Sequence, residues 1–210
     1  MSMTMLGPDG KLRCRWCSAA PEFIDYHDLE WGVPVDDDNR LFEKICLEGF
    51  QSGLSWRTIL AKRENFRSAF HGFDFRRVAK YGERDVARLL ADEGIVRHRG
   101  KIEAVINNAQ RAVELADREG SLAAFFWRYE PAPGQLATPQ TASTSEASEA
   151  LSKALKKLGW KFVGPTTVYA FMQAMGLIND HVEDCTMRAK VTRARKAFKR
   201  PSSASAVATT

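Results

Sequence analysis

Two residues near the end of the last well-patterned segment, His181 and Cys185 in "HVEDC", sit four positions apart. That spacing puts an imidazole and a thiol on one face of a helical turn, close enough to share a small ion. Two donors make a poor metal site, and the first thirty residues offer the missing ones: Cys14, Cys17 and His27. Residue types and spacing leave two tetrahedral sets open, Cys14, His27, His181 and Cys185, or Cys14, Cys17, His181 and Cys185. Either would join the two ends of the chain. His71 and His98 have no cysteine or histidine nearby, and Cys46 lies on an apolar helical face, where a thiol usually packs.

The background that must position these donors is that of an ordinary folded protein. The chain has 210 residues, 44% hydrophobic and 27% charged, enough for one good core but not for two large domains. No run is long enough to span a bilayer, and "MSMTMLGPDGKLRC" lacks the apolar core of a signal peptide. A cytoplasmic protein with no membrane partner is therefore expected. Its four cysteines would be reduced thiols, free to bind metal, rather than disulfides. The net charge of +5 resides in the last 25 residues. Arg188, Lys190, Arg193, Arg195, Lys196, Lys199 and Arg200 lie there with no acidic residue, leaving 24 basic against 26 acidic side chains in the body. The reading divides the chain into a flexible start (1–12), one folded domain (13–185) and a basic disordered tail (186–210).

From Asn39 onward the apolar residues recur with helical period, and no segment shows convincing strand alternation, so an all-α fold is expected. "RLFEKICLEGF" places Leu41, Phe42, Ile45 and Cys46 on one side. "SWRTILAKRENFRSAF" reads as one helix with Ile59, Leu60, Phe66 and Phe70, capped by Ser55. Further helices are expected to end at Gly94 and Gly120. "SLAAFFWRYE" reads as a short buried helix, and the Pro-, Ser- and Thr-rich stretch 131–145 as a connection.

Two glycine-containing turns carry clustered cations. In "LKKLGWKFVGPTTVYAFMQAMG", Gly164 precedes a helix opening on Pro165, Thr166 and Thr167, with Lys153, Lys156, Lys157 and Lys161 around it. Such a turn brings backbone N–H groups and the positive end of a helix dipole up to a phosphate, the pattern of a helix-hairpin-helix. "EGIVRHRGKI" groups Arg97, His98, Arg99 and Lys101 in a second basic turn. An ordinary glycine-capped corner explains either turn taken singly. Two in a neutral body favour nucleic acid.

"RCRWC", "YHDLEWGVP", "LFEKICLEGFQSGLSW", "GIVRHRGKI", "LGWKFVGPTTVYAFMQAMGLINDH" and "HVEDC", in this order from Arg13 to Cys185, together resemble the constitutive 3-methyladenine DNA glycosylase I family. The resemblance implies a helix-hairpin-helix glycosylase fold and one structural zinc ion held by Cys14, His27, His181 and Cys185, with Cys17 a bystander. It implies a monomer acting on alkylated double-stranded DNA, hydrolysing the N-glycosidic bond of 3-methyladenine. The base-edge catalytic role then falls on Glu48, and base stacking on Trp16, Phe23, Tyr26 and Trp56. Phe23 stands where family members usually carry tyrosine, which keeps a ring but removes a hydroxyl. Gly53 and Leu54, with Gln51 beside them, would plug the gap left by the flipped base, and Lys161, Gly164 and Thr166 would grip the DNA backbone.

The chemistry suits these residue types. N3-methylation makes adenine cationic and a ready leaving group, so capture matters more than acid assistance. Aromatic faces and a carboxylate both favour a cationic base. Asp180, in "LINDH", is expected to orient the metal-bound His181 as a hydrogen-bond acceptor. No lysine stands out as a Schiff-base nucleophile, so strand cleavage is not expected. A zinc-containing module that binds damaged bases without releasing them, and a zinc hydrolase with an open coordination position, are the competing readings.

Overall fold

The computed structural model describes residues 3–202. Eleven α-helices account for most of them, as expected: α1 (Glu22–Leu29), α2 (Asp38–Gln51), α3 (Trp56–Ala61), α4 (Arg63–Ala69), α5 (Phe75–Val78), α6 (Glu83–Ala91), α7 (Arg99–Glu119), α8 (Leu122–Phe126), α9 (Glu146–Lys157), α10 (Pro165–Ala174) and α11 (Thr186–Ala197). Both ends of the chain depart from expectation. Thr4–Leu6 (β1) pairs antiparallel with Leu12–Cys14 (β2) in register Thr4↔Cys14, so a small hairpin replaces the flexible start. Its three-residue strands are too short to show an alternating pattern.

The basic tail is likewise part of the fold through α11. Met187 and Val191 bury one side of that helix, Arg195 pairs with Glu130 at 2.6 Å, and Arg188 pairs with Glu183 at 2.7 Å. A charge-rich segment with two apolar residues a turn apart looks disordered until a partner surface is in place. The end of the tail, 203–210, lies outside the described residues.

α2 is the central helix. It packs on α3, α7, α8 and α10, and every residue from Leu41 to Phe50 is buried. The sequence pattern suggests a one-sided amphipathic helix, but neighbours surround this one. Glu43, Lys44 and Glu48 therefore lie inside, each with an opposite charge. Glu43 accepts from Arg67 at 2.8 Å, and Glu48 meets Lys44 at 2.7 Å.

The expected single helix over 55–70 is two. Ser55 caps α3 by accepting from the Thr58 N–H, but Lys62 leaves helical geometry at φ −97°, ψ 1°, and α4 starts afresh. The Lys62 ammonium donates to the carbonyls of Glu93 and Gly94 at 2.9 and 3.2 Å. Gly120 ends α7 in the left-handed region at φ 89°, as expected. Gly94 does not end α6 that way. Its N–H is held by Asp92, and a Cβ there would lie 2.9 Å from the Asp92 carboxylate and 3.1 Å from Asn65, so closeness rather than handedness calls for glycine.

Lys101 also departs from its expected place. It is buried rather than part of a basic surface, donating to the carbonyls of Phe50 and Ser52 at 2.8 and 2.6 Å. A lysine there satisfies free carbonyls and complements the dipole at the C-terminal end of α2. Replacing it by methionine is expected to cost about 2 kcal/mol, the scale of lost hydrogen bonds to a charged donor. The urea midpoint of the Lys101→Met protein would report it, and an unchanged midpoint would refute the capping role.

Candidate functional site

The end of β2, the body of α1 and the segment entering α11 bring four donors together. Cys14, His27, His181 and Cys185 are all buried, with donor atoms within 4.8 Å of one another. His181 Nδ1 lies 3.6 Å from Cys14 Sγ, 3.5 Å from Cys185 Sγ and 3.2 Å from His27 Nε2, and Cys185 Sγ is 3.4 Å from His27 Nε2. A tetrahedral zinc site with bonds of about 2.0–2.3 Å spaces its donors roughly 3.3–3.8 Å apart, so the cluster suits such an ion.

The outer nitrogens are also committed. His27 Nδ1 meets Asp28 at 2.7 Å, Arg13 clamps Asp28 at 2.7–3.0 Å, and His181 Nε2 donates to the Trp31 carbonyl at 3.1 Å. Each ring thus turns its remaining lone pair inward. The Cys14 thiol and both imidazoles beside Cys185 hold its thiol far below the ordinary cysteine range, favouring a thiolate.

Of the two expected donor sets, Cys14, His27, His181 and Cys185 come together and the set with Cys17 does not. Cys17 is buried elsewhere, its thiol facing Met5 at 3.8 Å in a small cluster with Ala20 and Phe23. Asp180 does not orient His181, since the Trp31 carbonyl takes that role. The Asp180 carboxylate instead accepts from the Gln140 N–H at 3.1 Å and from Gln173 at 2.6 Å, and burial pushes its pKa up despite these donors. The local chain at "NDH" places the two side chains on different sides, which adjacency in sequence does not reveal.

Beside the cluster lies a cavity of about 210 Å³ lined by Trp16, Tyr26, Trp31, Glu48, Gln51, Trp56, Gln140, Ala170 and Gln173. It is smaller than the roughly 300–1,000 Å³ of pockets for drug-sized ligands, a size suited to a single base. Trp16 and Trp31 meet edge to face with centroids 5.1 Å apart, and Tyr26 and Trp56 lie 5.4 Å apart. The indole N–H groups of Trp16 and Trp56 are buried without an acceptor among the described residues. Buried donors without an acceptor are the exception in folded proteins.

Of the expected stacking residues, Trp16, Tyr26 and Trp56 line the cavity. Phe23 does not. Its ring lies behind Trp16, edge to face at 5.8 Å, where it supports the wall. Sequence reasoning overlooked Trp31, Gln140, Gln173 and above all Lys44. The Lys44 ammonium lies 2.7 Å from the Glu48 carboxylate, 2.8 Å from the Tyr26 hydroxyl and 3.5 Å from the centre of the Trp56 ring. Lys44 and Glu48 are four apart on one helix, a spacing that signals an ion pair, but a surface pair would look the same. Burial raises the Tyr26 hydroxyl well above the usual tyrosine range and lowers Lys44 from the usual lysine value.

The cavity mouth adjoins two exposed features. Gln51 leads into a turn at Gly53 (φ 77°), and Leu54 is 41% exposed despite being apolar. Across α2, Phe162 packs against Gly49 and is equally exposed, within the turn joining α9 to α10. That turn is pinned from α7: Asn108 donates to the Lys161 carbonyl at 2.9 Å and accepts from its N–H at 2.8 Å. Gly164 stands just before α10, Pro165 opens the helix, and Lys161 and Thr166 are exposed beside them.

Comparison with known proteins agrees with this geometry. Residues 16–189 match the family described as methyladenine glycosylase. DNA-3-methyladenine glycosylase 1 of Escherichia coli (strain K12) is 53% identical over 177 residues, covering 82% of this chain and 95% of its own. A crystal structure of 3-methyladenine DNA glycosylase I superposes with a TM-score of 0.78 at 50% identity, over 83% of this chain and 98% of that one. A second, a substituted 3-methyladenine DNA glycosylase I in complex with 3-methyladenine, gives 0.78 at 36% identity, over 84% and 97%. With most of its length matched and its helices superposed on those of these relatives, this chain belongs to the methyladenine glycosylase family.

Proposed function

We propose that this protein is a base-excision repair enzyme that hydrolyses the N-glycosidic bond of 3-methyladenine in alkylated duplex DNA. Water adds to C1′ of the sugar and gives up a proton to solvent, while the C1′–N9 electron pair moves into the purine and cancels its positive charge. The base leaves neutral, and an abasic site remains in an unbroken strand. The observation that carries this reading is the base-sized cavity walled by Trp16, Tyr26 and Trp56 with the Glu48 carboxylate at its edge, in a chain of this family.

Each part has a role. The rings offer electron-rich faces to a cationic base, worth about 0.5–2 kcal/mol per contact. Glu48 accepts from the base edge and favours positive charge, and Phe23 holds Trp16 in place from behind. Leu54 and Gly53, with Gln51, fill the stack vacated by the flipped nucleotide. The α9–α10 unit acts as a helix-hairpin-helix, with Lys161, Gly164 and Thr166 presented to a backbone phosphate.

Cys14, His27, His181 and Cys185 would hold one zinc ion that serves structure alone, because four protein donors leave no position open for water. The residues assigned these roles all belong to a single chain, so the proposed reaction calls for no second copy.

The direct test is chromatography of bases released from duplex DNA treated with a methylating agent. Free 3-methyladenine above the enzyme-free control is expected. Folded, metal-loaded protein that releases none would sink the proposal.

A further inference from the structure

A buried cation backs the cavity wall, in contact with three of the residues that line it. Lys44 is 5% exposed, and its ammonium engages the Glu48 carboxylate, the Tyr26 hydroxyl and the face of Trp56. Those are the groups on which capture of a cationic base depends. One carboxylate faces one ammonium, so the pair is neutral before any ligand arrives. A second positive charge brought to Glu48 and Trp56 must share them with the buried Lys44, and like charges repel more strongly away from water.

We propose that Lys44 is a specificity-determining residue, an internal counter-cation that occupies the Glu48 carboxylate and the Trp56 face and must be discharged or displaced before a cationic base can take them. The inference rests on the function proposed above. It predicts that the cavity discriminates less sharply between cationic and neutral purines than its aromatic and carboxylate walls alone would.

The surroundings define how it should respond to pH. Besides Glu48 on its own helix, Lys44 is faced by Tyr26 from α1, and it feels Glu30 just beyond α1 and Arg63 from α4; Arg40 pairs with Glu30 and Glu43. Arg63 and Glu30 are paired at 2.7 Å, and arginine does not titrate in the accessible range. Tyr26 is raised out of that range by burial. Burial favours the neutral amine of Lys44 while Glu48 opposes this. Binding a cation therefore drives proton release from Lys44, and affinity for a cation should rise with pH towards the lysine range, whereas affinity for a neutral purine should not.

The test compares wild type with Lys44→Met, which conserves length without charge, and Lys44→Gln, which keeps a donor for Glu48 should the methionine variant fold poorly. The probes are the 3,9-dimethyladeninium cation, in which a methyl group replaces the sugar, and neutral 3-methyladenine. Both are followed by quenching of tryptophan fluorescence across a pH series. The expected result is an increase on the order of tenfold in cation-over-neutral preference in the variants, with the pH slope for the cation abolished. An unchanged or reduced preference, or an unchanged slope, would overturn the role of Lys44, as would failure of the cation to bind any of the three proteins. Release of 3-methyladenine from methylated DNA by wild type separates the cases. If release occurs, only the Lys44 inference falls; if neither release nor cation binding occurs, the proposed function falls with it.

Discussion

Removing the metal from the Cys14, His27, His181 and Cys185 cluster is expected to lower the thermal midpoint by roughly 10–20 °C, the shift for about 5 kcal/mol in a domain of this size. The donors come from β2, α1 and the segment entering α11, with Cys14 and His181 167 residues apart in the chain. An ion bound there would hold the amino-terminal hairpin and α11 against the body. Without it, two imidazoles face each other at 3.2 Å beside a buried thiolate, an arrangement that is costly to keep out of water. Chelation at neutral pH followed by a thermal scan would measure the shift, with Cys185→Ser as the matching variant. Because the site is closed by four protein donors, loss of activity should track loss of structure. A chelated protein with an unchanged midpoint would remove the ion from the account of stability. One that stayed folded yet inactive would revive the hydrolase reading.

Glu48→Gln is expected to reduce kcat/KM for 3-methyladenine release by on the order of 100- to 1,000-fold. The amide preserves shape but removes the charge that favours a cationic base, and it leaves the Lys44 ammonium without its opposite charge. At an effective dielectric near 20, a contact at hydrogen-bonding range is worth about 4 kcal/mol, which sets the scale. Breaking the buried pair should also cost about 3–5 kcal/mol of stability, so rates belong below the lowered midpoint. Because Lys44 is then the unopposed charge, adding Lys44→Met to Glu48→Gln should restore part of both losses. This non-additive pattern separates charge from shape. A single Glu48→Gln protein that released base at the wild-type rate would remove Glu48 from the base edge.

Much of this site was legible before any coordinates. Trp16, Tyr26, Trp56 and Glu48 line one cavity, and the resemblance that grouped them drew on motifs spread over most of the chain. Phe23 was misplaced because a residue three positions before Tyr26 sits on an adjacent side of the same short helix, where it buttresses Trp16 rather than facing the cavity. Lys101 looked like a surface cation because sequence shows the charge but not the carbonyls of Phe50 and Ser52 waiting for it. Lys44 went unnoticed for a related reason. Pattern reading assigns charged helix positions to solvent, and α2 has no solvent side over Leu41–Phe50.

By itself the sequence determined the helical character and the order of most elements, since both follow from local periodicity, caps and breakers. Ser55 as the α3 cap and Gly120 as the α7 stop were readable in this way. It also narrowed the metal donors to Cys14, His181 and Cys185 with one partner undecided. Spacing left the choice between His27 and Cys17 open, the resemblance favoured His27, and the fold brings His27 to the cluster; tertiary structure alone decided that Asp180 turns to Gln140 and Gln173 and that the basic segment from Thr186 forms a helix against the body. Most of these outcomes depend on groups distant in the chain, such as Gln140 and Asp180, 40 residues apart, and His27 and Cys185, 158 apart. Spacing along the chain constrains neighbours within a few turns, but the direction of a buried side chain is set by whichever distant surface packs against it.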